Sequence, residues 1–219
     1  MRSSKLEEIK IKRLINEKKY FEIYEKYGEV KYEKYLKQWY EEGLTTITIS
    51  VVSNKPEVNQ KIYMPNSEKY IDLPDLIKYL HSFGFSLRLT CVCCKNMMDN
   101  AKSVEEFIKF AKENQVEQVT LRPVNDEFRR KSAEEWIKEN KLTDNQKAEI
   151  KEYLEKNGTK LLELERIGTI YDVNGQNVCI SLPLNKNTRD TNPENARNLI
   201  FFQDGHIRYE WEMEGGILL

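Results

Sequence analysis

Residues 86–124 constrain the fold more than any other stretch of this chain. Ser86-Leu-Arg-Leu-Thr-Cys-Val-Cys93 and Gln118-Val-Thr-Leu-Arg-Pro-Val124 read as strands, separated by the helix-forming run Ser103-Val-Glu-Glu-Phe-Ile-Lys-Phe-Ala111. In the first strand Leu87, Leu89 and Cys91 share one face, and Arg88, Thr90 and Val92 the other. In the second, Val119 and Leu121 oppose Gln118, Thr120 and Arg122. Alternate strand residues point to opposite faces, so the apolar sets meet covering helices and the polar sets face inward. Two arginines on the inner face of neighbouring parallel strands are costly to bury alone. They are therefore expected to meet an anion or a carboxylate.

The same logic runs on both sides of this unit. Leu44-Thr-Thr-Ile-Thr-Ile-Ser-Val-Val52 is a third strand, with Ile47, Ile49 and Val51 outward and Thr46, Thr48 and Ser50 inward. A loop containing Pro56 and Pro65 follows. Asp72 then opens a helix with Leu73, Leu76, Ile77 and Leu80 at helical spacing, and Gly84 closes it. Ser103 with Glu106, Ser132 with Glu135, and Thr143 with Gln146 read as capping boxes that open three further helices. Repeated strand–helix units predict an α/β fold, a partial (β/α) barrel-like parallel sheet over residues 43–158. Residues 1–42, rich in Lys, Glu and Tyr and ending at Gly43, read as amphipathic helices or as a partner-binding helical arm.

The pattern changes after Gly158. Thr169–Val173 and Gln176–Ser181 flank Asn174-Gly175, a strong signal for a tight hairpin turn. Leu199–Phe202 and Ile207–Trp211 flank Gln203–His206 as a second hairpin, and a polar loop, Asn185–Asn198, lies between the two. Residues 159–219 are therefore expected to form a small antiparallel β-hairpin region.

Lys plus Arg (35) balances Asp plus Glu (36) in the 219 residues, which gives no bulk attraction to nucleic acid or to a membrane. No apolar run approaches membrane-spanning length, and the start Met-Arg-Ser-Ser-Lys-Leu-Glu-Glu lacks the apolar core of a secretory signal. Of the 4 cysteines, three bunch at Cys91, Cys93 and Cys94, which does not suit a disulfide framework. A cytoplasmic location is the expectation. Adjacent strand residues face opposite ways, so the cysteine trio is expected to be buried and inert rather than metal-binding. His81 and His206 are too isolated for acid–base work. The sequence holds no Gly-rich phosphate loop, serine-nucleophile elbow or HExxH.

In parallel βα sheets the site gathers at the carboxyl ends of the strands. That end carries Ser50, Ser53 and Asn54 from the first unit, Arg88 and Thr90 from the second and Arg122 from the third, with Asn125 and Asp126 just beyond. Such groups recognise hydroxyls and a carboxylate or phosphate. Equally, they can satisfy one another around a wet sheet face.

Four segments carry a resemblance: Trp39-Tyr-Glu-Glu-Gly-Leu-Thr-Thr-Ile-Thr-Ile-Ser50, Phe83-Gly-Phe-Ser-Leu-Arg-Leu89, Phe107-Ile-Lys-Phe-Ala-Lys112 and Val119-Thr-Leu-Arg-Pro123. In this order, over roughly residues 36–140, they resemble the later strands of a radical S-adenosylmethionine enzyme. The C-terminal hairpins resemble an auxiliary tail of some members. The likeness implies the fourth, fifth and sixth strands of a six-stranded partial barrel. It implies Ser50 near the ribose of S-adenosylmethionine, and Arg88 and Arg122 near its methionyl carboxylate or the substrate. Asn54, Thr90 and Asn125 would then face the substrate. The family's CxxxCxxC and Gly-Gly-Glu motifs are absent from the sequence, so a four-iron cluster is not expected on this chain.

Two functions follow from the likeness. The chain is either the C-terminal part of a split or truncated radical enzyme, completed by a partner chain that supplies the cluster, or a degenerate, non-catalytic binding module on the same scaffold. An unrelated α/β domain with its own small-molecule site is a third reading. A half barrel also exposes the edge of its first strand, which the N-terminal helices or another chain are expected to cover.

Overall fold

The alternation of the central strands becomes a sheet with two unlike faces. The computed structural model describes residues 33–67, 70–124, 131–164, 168–181, 200–201 and 206–208. A helix, α1, covers residues 33–41. Strand β1 (Thr46–Val51), helices α2 (Pro56–Tyr63) and α3 (Leu73–His81), and strand β2 (Ser86–Cys93) follow. Next come α4 (Ala101–Glu113), β3 (Gln118–Pro123), α5 (Lys131–Asn140) and α6 (Asp144–Asn157). The chain then runs through β4 (Thr159–Leu164), β5 (Gly168–Val173) and β6 (Gln176–Ser181). Two short strands, β7 (Ile200–Phe201) and β8 (Ile207–Arg208), pair antiparallel as the second hairpin.

The six-stranded sheet has the order β1-β2-β3-β6-β5-β4 and is open. Strands β1, β2, β3 and β6 are parallel, while β5 runs antiparallel to both β6 and β4. The expected α/β sheet with a C-terminal antiparallel hairpin is thus what the chain forms. The hairpin is continuous with the parallel strands, because β6 lies directly against β3. The Asn174-Gly175 turn that closes it has φ of 53° and 84°, the left-handed pair that a two-residue hairpin of this twist requires.

The apolar face is the core. Leu87, Leu89 and Cys91 of β2, Val119 and Leu121 of β3 and Val178 of β6 are buried against Ile77 and Leu80 of α3, Phe107 and Ala111 of α4, and Ile150 and Leu154 of α6. Each large side chain sealed this way contributes about 1.5–3 kcal/mol. Right-handed crossovers place α3 and α4 on the same side of the sheet. Leu36 of α1 joins the same core, and the Tyr40 ring meets Phe85 edge-on at 5.5 Å. The rest of the anticipated N-terminal helices, residues 1–32, lies outside the described residues. Among the described residues no helix is long and apolar enough to cross a membrane.

Several helix starts follow the sequence, and others correct it. The Asp72 carboxylate accepts from the Asp75 N–H at 3.0 Å, and Thr143 with Gln146 forms a reciprocal capping box. Ser103, however, is the third helical residue: Asn100 is the cap, its Oδ1 accepting from the Ser103 N–H at 2.9 Å. Ser132 lies inside α5, which already includes Lys131. Pro56 does not sit in a loop but opens α2, where its missing N–H costs nothing. Strand β4 carried no sequence signal because it is an exposed edge without alternation.

Candidate functional site

Strand register assembles the polar face row by row. Thr48, Arg88, Gln118 and Asn177 are in register across the four parallel strands, and so are Ser50, Thr90, Thr120 and Cys179. Arg122 stands one row further on, opposite Val92. Neighbouring strands are about 4.8 Å apart and successive rows on one face about 6.6 Å, so the Ser50-to-Cys179 row spans roughly 14 Å. Arg88 precedes that row on β2 and Arg122 follows it on β3, so the two guanidiniums bracket the Thr90–Thr120 pair diagonally.

Ser50, Arg88 and Arg122, expected to share one side of neighbouring parallel strands, do so. The premise attached to the arginines does not hold, because both are exposed. An exposed guanidinium incurs no desolvation cost, so burial does not demand an anion. Charge still invites one: neither Arg88 nor Arg122 has an ion pair or hydrogen bond among the described residues. The middle of the face is drier, with Thr90 and Thr120 only 7% and 8% exposed. Asn125 and Asp126 lie outside the described residues.

Beyond the end of β1 the chain is locked by a single amide. Asn59 of α2 is buried, and its Oδ1 accepts from the Val52 N–H at 2.8 Å and the Ser53 N–H at 3.2 Å. Its Nδ2 donates to the carbonyls of Ser53 at 2.7 Å and Lys55 at 3.3 Å. All four hydrogen-bonding positions of the amide are therefore used. This fixes the turn that carries Ser53 and Asn54. Asn54 is half-buried, and its Oδ1 accepts from the Ser53 hydroxyl at 3.4 Å.

Cys179 is the member of the face that sequence reasoning passed over. Alternation in Gln176–Ser181 already set Asn177, Cys179 and Ser181 on one side. Only the parallel pairing of β6 with β3 brings that side beside Thr120. Its thiol is held above the ordinary value by burial, against which the charges of Arg88 and Arg122 both pull downward.

The other three thiols are of a different kind. Cys91, Cys93 and Cys94 are fully buried. The Cys93 thiol points to the Cys91 carbonyl at 3.6 Å, and Cys94 Sγ lies 3.5 Å from Met97 Sδ. Burial pushes the Cys91 thiol well up, helped by a hydrogen bond with Cys93, and pushes Cys94 up to about 11. Thiols held protonated in this way are poor nucleophiles and poor metal ligands. Cys91 and Cys93 also lie on the core face, away from the arginines. This donor set does not fit a four-iron cluster, and among the described residues no three His, Cys, Asp or Glu side chains converge on a metal position.

His81 and Glu117 lie 3.3 Å apart at the opposite end of the sheet, where the Glu117 carboxylate also accepts from the Leu87 N–H at 2.6 Å. This is a structural clasp on the start of β2. No protein-family model matches the chain, and no curated protein matches it. Fold and face together define an open α/β sheet with a polar, guanidinium-bearing side opposite its helix-covered one.

Proposed function

We propose that the chain is a radical-S-adenosylmethionine-like half barrel lacking the cluster-binding half, acting as the C-terminal part of a split or truncated enzyme. A partner chain supplies the iron–sulfur cluster. Ser50, Arg88 and Arg122 hold the nucleoside hydroxyls and the methionyl carboxylate of S-adenosylmethionine, while Thr90, Asn54 and Asn125 meet the substrate. One observation carries this reading: adjacent parallel strands present hydroxyls flanked by two guanidiniums that have no ion-pair partner among the described residues, with the core helices behind them. Planar guanidinium groups recognise carboxylates in two-point contacts. S-adenosylmethionine supplies a one-electron-reducible sulfonium when bound beside a cluster. This chain's own part is to bind and orient it.

The alternative is a non-catalytic binding module on the same scaffold, which the burial of Cys91, Cys93 and Cys94 favours for the chain in isolation. Equilibrium binding of S-adenosylmethionine and its decarboxylated analogue tests the shared element. A charge-assisted hydrogen bond is worth about 1.5–3 kcal/mol, or roughly a 10- to 100-fold change in affinity. Both Arg122→Ala and removal of the ligand carboxylate are expected to weaken binding by that factor while the thermal transition stays intact. Equal affinity for the two ligands would refute the carboxylate role. Anaerobic iron–sulfide treatment is expected to leave the chain colourless, and stoichiometric iron would overturn the division of labour. A stable complex with a chain carrying CxxxCxxC and Gly-Gly-Glu separates the split enzyme from the binding module.

A further inference from the structure

We propose that the β1 edge is the interface of a two-fold dimer, in which β1 pairs antiparallel with β1 of a second copy, centred on Thr48. The inference goes beyond the reading of the polar face and holds for the chain on its own, since a cluster-bearing chain extending β1 would displace the second copy. The Ser86 N–H donates to the Thr45 carbonyl at 2.9 Å, so the main-chain groups of Thr45, Ile47, Ile49 and Val51 turn towards β2. Those of Thr46, Thr48 and Ser50 turn outward, and β1 bonds only to β2 among the described residues. The outward series is closed at both ends: the Leu44 N–H donates to the Trp39 carbonyl at 2.9 Å, and the Val52 N–H to Asn59 Oδ1 at 2.8 Å. The open stretch is therefore Thr46–Ser50, symmetric about Thr48.

A second copy fits this stretch without remainder. Opposed antiparallel residues share a face and, in alternate pairs, exchange both main-chain hydrogen bonds. With Thr48 on the two-fold axis it meets its own counterpart, and Thr46 meets the second copy's Ser50, so every outward N–H and C=O is bonded. The paired hydroxyls can bond across the strands as well. An axis at Ile49 would instead call on the Val52 N–H that Asn59 already holds. On the core side Ile47 comes beside the second copy's Ile49. Both are only half-buried, whereas Leu87 and Leu89, their neighbours in β2, are 1% and 0% exposed, so the missing cover is lateral. Charge agrees with a self-pairing. Strand β1 has no charged residue to oppose its own mate, and Glu42 and Lys55 are the first charges before and after it. Antiparallel pairing sets each acidic end beside a basic one.

Light scattering on the full chain across a concentration series is expected to give twice the chain mass, falling to the single mass on dilution. Thr48→Pro removes an outward N–H that the single chain does not use, a change an edge strand tolerates, and should be monomeric with an unchanged circular-dichroism spectrum. Thr48→Cys sets two thiols on the axis at a Cα separation of about 5.5 Å, within disulfide reach, and should cross-link under mild oxidation. Thr46→Cys, whose two copies lie roughly 14 Å apart in this register, should cross-link no more than the unsubstituted chain. A single mass at every concentration up to about 1 mM overturns the proposal, including the case in which the edge binds only a chain of another kind. So does a dimer that Thr48→Pro leaves intact, or Thr46→Cys linking as readily as Thr48→Cys. If Thr48→Pro does not fold, the two cysteine variants decide the matter by themselves.

Discussion

Asn59→Ala is the substitution whose cost the structure defines most closely. The variant removes the acceptor of the Val52 and Ser53 N–H groups and the donor to the Ser53 carbonyl, three buried main-chain groups at the end of β1. The Lys55 carbonyl loses little, since it also accepts from the Val58 and Asn59 N–H groups. A buried polar group left without a partner costs about 1–3 kcal/mol, so three of them set a loss of roughly 3–6 kcal/mol if water reaches one or more. Against a typical domain stability of about 5–15 kcal/mol, this is a large fraction. Urea titration followed by tryptophan fluorescence reads it directly. Ser53→Ala, which removes only the hydroxyl accepting from the Lys55 N–H at 3.1 Å and its contact with Asn54, is expected to cost about 1 kcal/mol in the same assay. Asn59→Asp keeps the acceptor but sets a carboxylate 2.7 Å from the Ser53 carbonyl. Its deficit should be largest near neutrality and shrink in acid, where a protonated carboxyl can donate again. A loss below about 1 kcal/mol for Asn59→Ala would refute the claim that this amide holds the turn.

Two further outcomes follow from glycine geometry and from desolvated acids. Gly43 and Gly84 have φ of +98° and +93°, but a Cβ on Gly43 meets nothing within 4 Å, whereas one on Gly84 would lie 2.9 Å from the Tyr40 ring. Gly43→Ala should therefore cost only the left-handed backbone term of about 1–2 kcal/mol, and Gly84→Ala more, through displacement of Tyr40 from Phe85; equal urea midpoints would contradict this. At high pH, burial raises Cys94 to about 11, and partial desolvation of the hydroxyl raises Tyr63, whose ring is otherwise exposed, to about 12, so the unfolded chain releases these protons first. Their contribution is intact below the ordinary thiol value of 9 and is lost as pH climbs towards 11 and 12. The urea midpoint should fall across that window and fall less steeply in Tyr63→Phe, and a flat profile would count against the burial of the Cys94 thiol and the desolvation of the Tyr63 hydroxyl.

Most of the parallel unit is legible from the order of the residues. Leu87, Leu89, Cys91, Val119 and Leu121 announce a buried face by strict alternation, and the same alternation sets Arg88 and Arg122 opposite. Asp72 and Thr143 cap helices by local hydrogen bonds that need no tertiary context. What escapes is non-local. Asn100 prevails over Ser103 as a cap because it lies where the chain turns out of the loop after β2, and α2 forms despite weak periodicity because Asn59 is drawn into the Val52–Lys55 turn. The exposure of the arginines was equally hidden, since alternation distinguishes the two faces but not whether the second face is covered. Cys179 was passed over for a related reason: local pairing of β5 with β6 is written in Asn174-Gly175, but the partner on the other side of β6 is not.

That unseen pairing decides how the sheet can be completed. After α6 the chain enters at the far edge as β4 and returns through β5, so β6 fills the place beside β3 and an antiparallel pair closes that flank. Strand β4 is a poor template for a further strand: its register shifts between Lys160 and Leu162, and its exposed Lys160 and Glu163 pair with each other. Irregular, charged edges resist strand addition. The β1 edge is different. It is parallel in sense, free of charged side chains from Thr46 to Val51, and bonded only to β2 among the described residues. A chain that supplied the missing strands of a parallel barrel would therefore have one suitable edge to extend, beside Thr46, Thr48 and Ser50. Docking there would set its own strand ends next to the hydroxyl row, so on the proposed split-enzyme reading completion of the sheet and completion of the proposed ligand site would be the same event.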